Sequence, residues 1–382
     1  MCADPGRAYA RAVSDDVPAL TADTLLAGPR GRDLCFALLP DPPLTPFGPV
    51  TAEVVGAMRT TVGRWDPASL TRSTLHAALL ASVDDAMYWQ SPWKHEAVLA
   101  ADGMAEALRP VAEAVAAHPD TAWWTRPSPV RQWSLHPWEH PAVGGRPEGV
   151  PAEPIERFLT EAEDDERRFR AWREAGEGPV SGTWWTQPPA RFTRAQIPEA
   201  FDLIEDSDAP EEVTAHPVRG RGLVLEIRGP EDWVALCREH PFEVTESRRA
   251  DWGAATGRQG RWFLPDWRSV ARDWDGVHLT VAGYLSTATR ALALDDRSAD
   301  TPEGDGRACL MAGFDPDVTL WLTDVVRPLP AEEEPTQLWE GEPTRRHRVG
   351  EPQPGDLVLG ETPEGLCLEQ HIPSTPTFVS PG

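Results

Sequence analysis

The amino-acid sequence predicts an α+β fold: an N-terminal helical region, then a mixed α/β sheet domain, then a Pro-rich C-terminal extension. Three observations support this fold class. Between residues 51 and 178, apolar residues recur every three or four positions, the spacing of one helix face. Between residues 179 and 328, short alternating runs appear (GLVLEI, VHLTV, VTLWL), separated by turn-rich or helix-length stretches. After Pro328 the chain becomes rich in Pro and Glu.

These changes in composition divide the chain into four parts. We assign 1–50 to an N-terminal segment with a Pro-rich linker and 51–178 to a mostly helical region with a Trp/Pro-rich loop. Residues 179–328 form the α+β domain, and 329–382 form the Pro/Glu-rich extension. The extension still contains two weak strand candidates, DLVLG and LCLEQHI.

Two helices are predicted with particular clarity in the helical region. The first has an apolar stripe from Ala101 to Val115, with Pro110 expected to kink or split it. The second, around 155–172, carries the charge run EAEDDERR on its solvent side. There we expect four-residue pairs such as Glu163–Arg167 and Glu166–Arg170.

The stretch PDWRSVARDWDGVHLTVAGYL predicts a helix followed by a strand. Asp266 is placed to cap the helix, and Gly276 is placed to end it in a left-handed conformation. In the strand, Val277, Leu279 and Val281 share one side, so His278 and Thr280 face the other. GLVLEI repeats this pattern, with Leu223, Leu225 and Ile227 inward and Glu226 and Arg228 outward.

Composition restricts the classes of function. The formal net charge of -25 disfavours binding to nucleic acid or to an anionic membrane. Five cysteines without a CxxC pair, and an N-terminus without an apolar signal region, favour a cytoplasmic protein with reduced thiols. The 17 tryptophans are expected mainly in the core, although the WWTRPSPVRQW stretch would also suit ligand stacking.

No P-loop, HExxH, complete GxGxxG or GxSxG motif is present. HPWEH offers His136 and His140, but Pro137 argues against the helix that would align them, and we expect no metal. The candidate catalytic residues are His278 and Tyr284, and the candidate cofactor-binding residues are Arg228 and Ser286. The alternative for His278 is a structural histidine, satisfied by a neighbouring group.

An arginine after the first strand (Arg228), Ser286-Thr287 after the second and the later Glu340-x-Glu342 loosely resemble the NAD-binding ADP-ribosyltransferases. That family combines an arginine, a Ser-Thr-Ser strand and a Glu-x-Glu turn. The resemblance implies that Arg228 and Ser286 hold NAD and that the last glutamate orients the acceptor. This chain departs from the pattern at Ala288, which replaces the third serine.

A broader resemblance covers residues 181–326. The segments SGTWWTQPP, VLEIRGPEDWVALCREHP, DWGAATGRQGRWFLPDW and AGFDPDVTLWL are similar to an uncharacterised family of Trp-rich actinobacterial proteins. This resemblance implies a shared fold and no particular activity.

Two classes of function follow. The first is an enzyme that acts on a small molecule or nucleotide, with transfer as the expected reaction class and NAD as the most concrete cofactor. The alternative is a non-catalytic acidic interaction or immunity-type protein, whose partner would present a basic surface. Neither hypothesis includes a nucleic acid or membrane partner.

Overall fold

The computed structural model describes residues 19–41, 49–137, 153–176, 183–196, 199–205, 213–295, 306–329, 345–346, 357–362 and 365–370. In these residues the chain has the predicted α+β fold, with eleven helices and two sheets of mixed strand direction. The helices are α1 (Ala22–Ala27), α2 (Pro29–Ala37), α3 (Ala52–Val62), α4 (Arg72–Asp84), α5 (Lys94–Leu99), α6 (Met104–Ala117), α7 (Glu153–Glu174), α8 (Pro230–Glu239), α9 (Thr245–Thr256), α10 (Trp267–Asp273) and α11 (Val281–Thr287).

Threonine side chains begin three of the N-terminal helices. Thr21, Thr51 and Thr71 each accept a hydrogen bond from a backbone N–H in the first turn of α1, α3 and α4. The predicted apolar stripe is buried in α6 from Met104 to Val115, whereas Ala101 precedes the helix and is half-buried. Pro110 lies inside this helix without dividing it, so α6 runs unbroken through the position where a kink or split was expected.

The long helix α7 buries its predicted apolar stripe, but its charged side chains pair differently from the prediction. The contacts on its surface are three-residue pairs, Arg167 with Asp164 and Arg168 with Asp165. The Glu166 carboxylate instead accepts the N–H groups of Glu246 and Ser247 at the start of α9. Its negative charge therefore stabilises the N-terminus of a neighbouring helix.

The larger sheet has ten strands: β1 (Arg131–Pro137), β2 (Phe192–Arg194), β3 (Val213–Gly220), β4 (Val224–Ile227), β7 (Gly276–Leu279), β10 (Val318–Trp321), β11 (Val326–Pro328), β12 (Arg345–Arg346), β13 (Leu357–Thr362) and β14 (Gly365–Gln370). Their order is β12-β13-β3-β1-β2-β10-β7-β4, with β11 paired to β3 and β14 to β13. Strands β4 and β7 run parallel, and the other pairs run antiparallel. The two strand candidates of the C-terminal extension are confirmed as β13 and β14. Most of 329–382 lies outside the described residues.

The smaller sheet contains β5 (Pro241–Glu243), β6 (Arg261–Pro265), β8 (Leu292–Ala293) and β9 (Arg307–Cys309). Their order in the sheet is β5-β6-β9-β8. A continuous apolar core runs from the N-terminal helices to both sheets. The prediction that tryptophans are mainly core residues is confirmed for Trp124, Trp233, Trp252, Trp262, Trp267 and Trp321, all of which are buried.

The helix–strand prediction for PDWRSVARDWDGVHLTVAGYL is confirmed in its first half. The Asp266 side chain caps α10 by accepting the N–H groups of Arg268 and Ser269. The assignment of Gly276 was wrong: it begins β7, and α10 ends at Asp273. The strand also ends earlier than expected, because the Thr280 hydroxyl accepts the Gly283 N–H and starts α11.

The inward position of Leu223 was also wrong. Leu223 precedes β4 and is 62% exposed, whereas Leu225 and Ile227 are buried as predicted. Among the described helices, none combines the length and the apolar character needed to cross a lipid bilayer.

Candidate functional site

The four candidate site residues come from two adjacent strand–helix units. Strand β4 leads through Arg228 into α8, and β7, which contains His278, leads into α11 with Tyr284 and Ser286. Because β4 and β7 are parallel neighbours, both units enter their helices at the same edge of the sheet. The structure separates the candidates into two groups. His278 and Tyr284 are buried and hydrogen-bonded to carboxylates, whereas Arg228 and Ser286 lie at the helices that follow the strands.

His278 lies opposite Glu226 in the β4–β7 register. Its Nδ1 donates a hydrogen bond of 2.6 Å to Glu226 Oε2, and the side chain is 1% exposed. Its Nε2 lies 3.8 Å from Asp317 Oδ1, which is an ion-pair distance rather than a hydrogen bond. Burial alone disfavours the imidazolium, but the two carboxylates outweigh burial and raise the pKa of His278 to about 9.

Both carboxylates beside His278 are fixed by other contacts. Glu226 also accepts the Ser128 N–H at 2.9 Å. Asp317 accepts the backbone N–H groups of Ala195 and Gln196 at 3.1 and 2.8 Å. The imidazole is therefore held as a cation between two positioned carboxylates inside the sheet layer.

Tyr284 belongs to a second buried cluster, centred on Glu205. The hydroxyls of Tyr284 and Tyr88 both donate to Glu205 Oε1, at 2.8 and 2.5 Å. The other oxygen accepts the Gly313 N–H at 2.7 Å. Burial, followed by repulsion from Asp315, outweighs these donors and raises the pKa of Glu205 to about 8.

A buried arginine connects the two clusters. The Arg194 guanidinium donates to Asp315 Oδ2 at 3.1 Å and to the carbonyl of Pro316 at 2.9 Å. Asp315 Oδ1 accepts the Glu205 N–H, and Asp317 faces His278. The segment 315–317 thus joins both clusters into one polar network within the apolar core.

Ser286 is buried near the end of α11. Its hydroxyl donates within the helix, to the carbonyls of Ala282 and Gly283 at 2.8 and 3.2 Å. Arg228 is half-buried, and its backbone N–H donates to Asp232. The buried Arg228 Nε has no hydrogen-bond partner.

Two helix N-termini meet at Ser286. A Cβ added to Gly28, the residue before α2, would lie 2.8 Å from the Ser286 carbonyl oxygen. A Cβ added to Gly229, the residue before α8, would lie 4.0 Å from the Ser286 Oγ. Neither N-cap residue, Gly28 or Gly229, supplies a side-chain cap, and the first turn of α8 carries Glu231 and Asp232. The two helix starts therefore lie near one region, with two carboxylates beside the start of α8.

Two further arginines, Arg290 and Arg32, lie near Ser286. Arg290 donates from Nη1 to the Ser286 carbonyl at 2.7 Å. Arg32, in the first turns of α2, has its pKa lowered by burial and by repulsion from Arg290. Burial also lowers the pKa of Arg290, partly offset by attraction to Glu231. Arg228 directly precedes Gly229, whose backbone lies near the Ser286 hydroxyl. We call Arg32, Arg228 and Arg290 the arginine surface.

Sequence analysis did not identify Glu226, Asp317, Glu205 or Arg290 as site residues. Glu226 had a detectable signal, since it is the polar residue of one alternating run and His278 is that of another. Glu205 and Asp317 lie outside the strands and show no periodicity that would place them beside a histidine or a tyrosine.

The residues of the ADP-ribosyltransferase resemblance have a different local structure from the one it implies. Ser286 and Thr287 end a helix, whereas the family carries its Ser-Thr-Ser motif on a strand. Glu340 and Glu342 lie outside the described residues, as does His140.

A groove of about 520 Å³ lies between the end of α2 and helix α4. Its lining includes Leu38, Arg64, Asp66 and Thr74, and it contains none of the four candidate residues.

No protein-family model, curated protein or solved structure matches this chain, so its function has to be inferred from these sites.

Proposed function

We propose that the protein binds a phosphate-bearing small molecule of the nucleotide class at the arginine surface. One observation carries the proposal: half-buried arginines and two uncapped helix N-termini converge on Ser286. Phosphate groups favour helix N-termini, where backbone N–H groups and the helix dipole are available. Arginine adds charge-assisted, forked hydrogen bonds.

The contacts support different roles for the surrounding residues. Arg290 is oriented by the Ser286 carbonyl, so Ser286 acts as a positioning residue while its hydroxyl stays bonded within α11. The buried Arg228 Nε has no hydrogen-bond partner, so this guanidinium retains an unused donor. NAD, the cofactor suggested by the sequence, is one member of the proposed ligand class.

The proposal concerns binding. His278 and Tyr284 are fully buried and hydrogen-bonded to carboxylates, so we give them a structural role here. A catalytic step would require groups on the ligand side of the arginine surface.

The test is isothermal titration of ADP, NAD and pyrophosphate into the wild type and into Arg228→Ala and Arg290→Ala. Each arginine should contribute about 1.5–3 kcal/mol, so each variant should bind at least about tenfold more weakly. The matched control is Arg167→Ala, an exposed arginine on α7. Adenosine, which lacks phosphate, should not bind. Absence of binding by all three anions, or equal binding by all four proteins, would contradict the proposal.

A protein partner with a basic surface is the second candidate, favoured by the net charge of -25. Titration with an arginine-rich peptide at low and high salt tests it. Binding that weakens with salt and is unchanged by Arg228→Ala would support this partner. The absence of peptide binding at low salt would exclude it.

A further inference from the structure

Three ligand-type side chains converge among the N-terminal helices, and one of them, Asp33, follows Arg32 directly in sequence. Asp33 lies in α2, Asp85 directly follows α4, and His95 lies in α5. One ligand atom from each of these residues lies within 4.8 Å of the others. Among the described residues, these three side chains form a group whose ligand atoms are close enough together to share one metal ion.

The distances in this group are close to those between two ligands of one metal ion. His95 Nε2 and Asp33 Oδ1 are 2.9 Å apart, yet they form no hydrogen bond with each other or with any other described group. Two ligands about 2.1 Å from one metal ion would be about 3.0–3.4 Å apart at right or tetrahedral angles. Asp85 Oδ2 lies 3.9 Å from the same nitrogen, so a small rotation brings it within range.

Burial makes the missing hydrogen bonds of these two atoms significant, although the atoms form an ion pair with each other. The Asp33 side chain is 2% exposed and that of His95 is 17% exposed, and Asp33 Oδ1 and His95 Nε2 are both inaccessible to water. A buried polar atom without a partner destabilises the fold by about 1–3 kcal/mol. A bound cation would remove this penalty for both atoms. The Asp85 side chain is 42% exposed, which leaves an open side for water ligands.

Neighbouring groups hold two of the ligands in place. The Phe36 ring stacks on the His95 imidazole, with centroids 4.9 Å apart and planes at 8°. The Arg30 guanidinium lies 3.5 Å from Asp33 Oδ2, so the other oxygen, Oδ1, faces the histidine. Such outer contacts commonly orient metal-binding side chains.

Electrostatics also favour a cation. Arg30 contributes one positive charge, which it shares with Glu96 through an ion pair. Asp33 and Asp85 are the two carboxylates of the group itself, and Glu96 is a third carboxylate beside Arg30. The carboxylates therefore outnumber the arginine that neutralises them.

We propose that Asp33, Asp85 and His95 bind one divalent first-row transition-metal ion, with Zn²⁺ as the reference ion. One imidazole nitrogen and two carboxylate oxygens form a ligand set suited to these metals. Mg²⁺ and Ca²⁺ prefer oxygen ligands alone and should bind more weakly.

The test is competition between the full-length protein and a chromophoric chelator for Zn²⁺, with the bound metal counted after dialysis. His95→Gln and Asp85→Asn should each lose one equivalent, or weaken binding of that equivalent by about tenfold or more. The matched control is His118→Gln. His118 has a similar exposure, 16%, and lies beside one aspartate, Asp120, but it does not belong to the group of three ligand residues. Circular dichroism checks that Asp85→Asn, at a half-buried position, remains folded.

Two results would overturn the site. One is a wild type that binds no Zn²⁺. The other is equal stoichiometry and affinity in the wild type, His95→Gln and Asp85→Asn. Co²⁺ substitution gives an independent readout. A thiolate charge-transfer band that persists in His95→Gln would place the ion at cysteine and contradict the assignment.

Discussion

At the scale of single residues, the main question is how ionisable groups are kept inside an apolar core. Burying a charge is costly unless it is paired, and burying an unpaired carboxyl favours its neutral form. His278 is an example of the first case, because Glu226 and Asp317 hold it as a cation. Glu205 is an example of the second, because burial outweighs three hydrogen-bond donors. Opposite environments thus raise both pKa values.

Both shifts predict a fold that loses stability as pH rises. The folded pKa of His278 is about 9 against 6.5 unfolded, so its contribution is complete below pH 6.5 and is lost as pH rises to about 9. The shift corresponds to about 3 kcal/mol of unfolding free energy. Glu205, with a pKa of about 8 against 4.5 unfolded, adds a loss that begins near pH 4.5 and is complete near pH 8.

Urea unfolding between pH 4.5 and 9.5 measures this dependence. In Glu226→Gln the imidazole loses its closest carboxylate, so NMR should show His278 titrating at a lower pH than in the wild type. In Glu205→Gln the stability loss between pH 4.5 and 8 should become smaller. A wild-type unfolding free energy that rises from pH 6.5 to 9 would show that neither group has the assigned charge state.

At the scale of elements, the contact of α2 with α11 sets the geometry of the arginine surface. Gly28 allows the start of α2 to approach the carbonyls of Leu285 and Ser286 more closely than any side chain permits. This approach places the uncapped start of α2 beside the Arg290 anchor, Ser286.

Gly28→Ala should therefore destabilise the protein by about 1–3 kcal/mol, because backbone atoms cannot yield to the new methyl group. The matched control is Gly56→Ala. Gly56 is exposed within α3 and its added Cβ would meet nothing within 4 Å. That variant should be more stable than the wild type by about 0.5–1 kcal/mol. Thermal unfolding compares the two, and equal effects would refute the role assigned to Gly28.

The elements also show where sequence patterns are sufficient. Helix α10 and its Asp266 cap were predictable, since both depend on residues close in sequence. The end of β7 was not, because Thr280 continues the strand alternation yet caps α11. The position of Leu223 failed for a similar reason: alternation cannot reveal that β4 begins at Val224.

At the scale of the whole molecule, the sequence predicted the α+β class but not the candidate sites. The fold class follows from local periodicity, which elements such as α6 and β4 display. The arginine surface and the Asp33–His95 pair instead depend on separate helices meeting in space. His278 was noticed as a polar residue on an apolar strand, but its partner Asp317 lies 39 positions away and has no pattern of its own.

The net charge of -25 makes the arginine surface unusual within this molecule. Several arginines, including Arg109, Arg173 and Arg261, are instead paired with nearby carboxylates. Arg228 and Arg290 also lie near the carboxylates of Asp232 and Glu231, but no side-chain ion pair joins them, and the proposed ligand class depends on this feature.

The most direct measurement is NMR of arginine Nε–Hε groups during titration with ADP, with signals assigned by arginine-to-lysine variants. We predict that the signals of Arg228 and Arg290 shift together and saturate at one equivalent, while that of the exposed Arg167 stays constant. Shifts confined to other arginines, or no saturable shift at all, would contradict the claim that this surface binds phosphate.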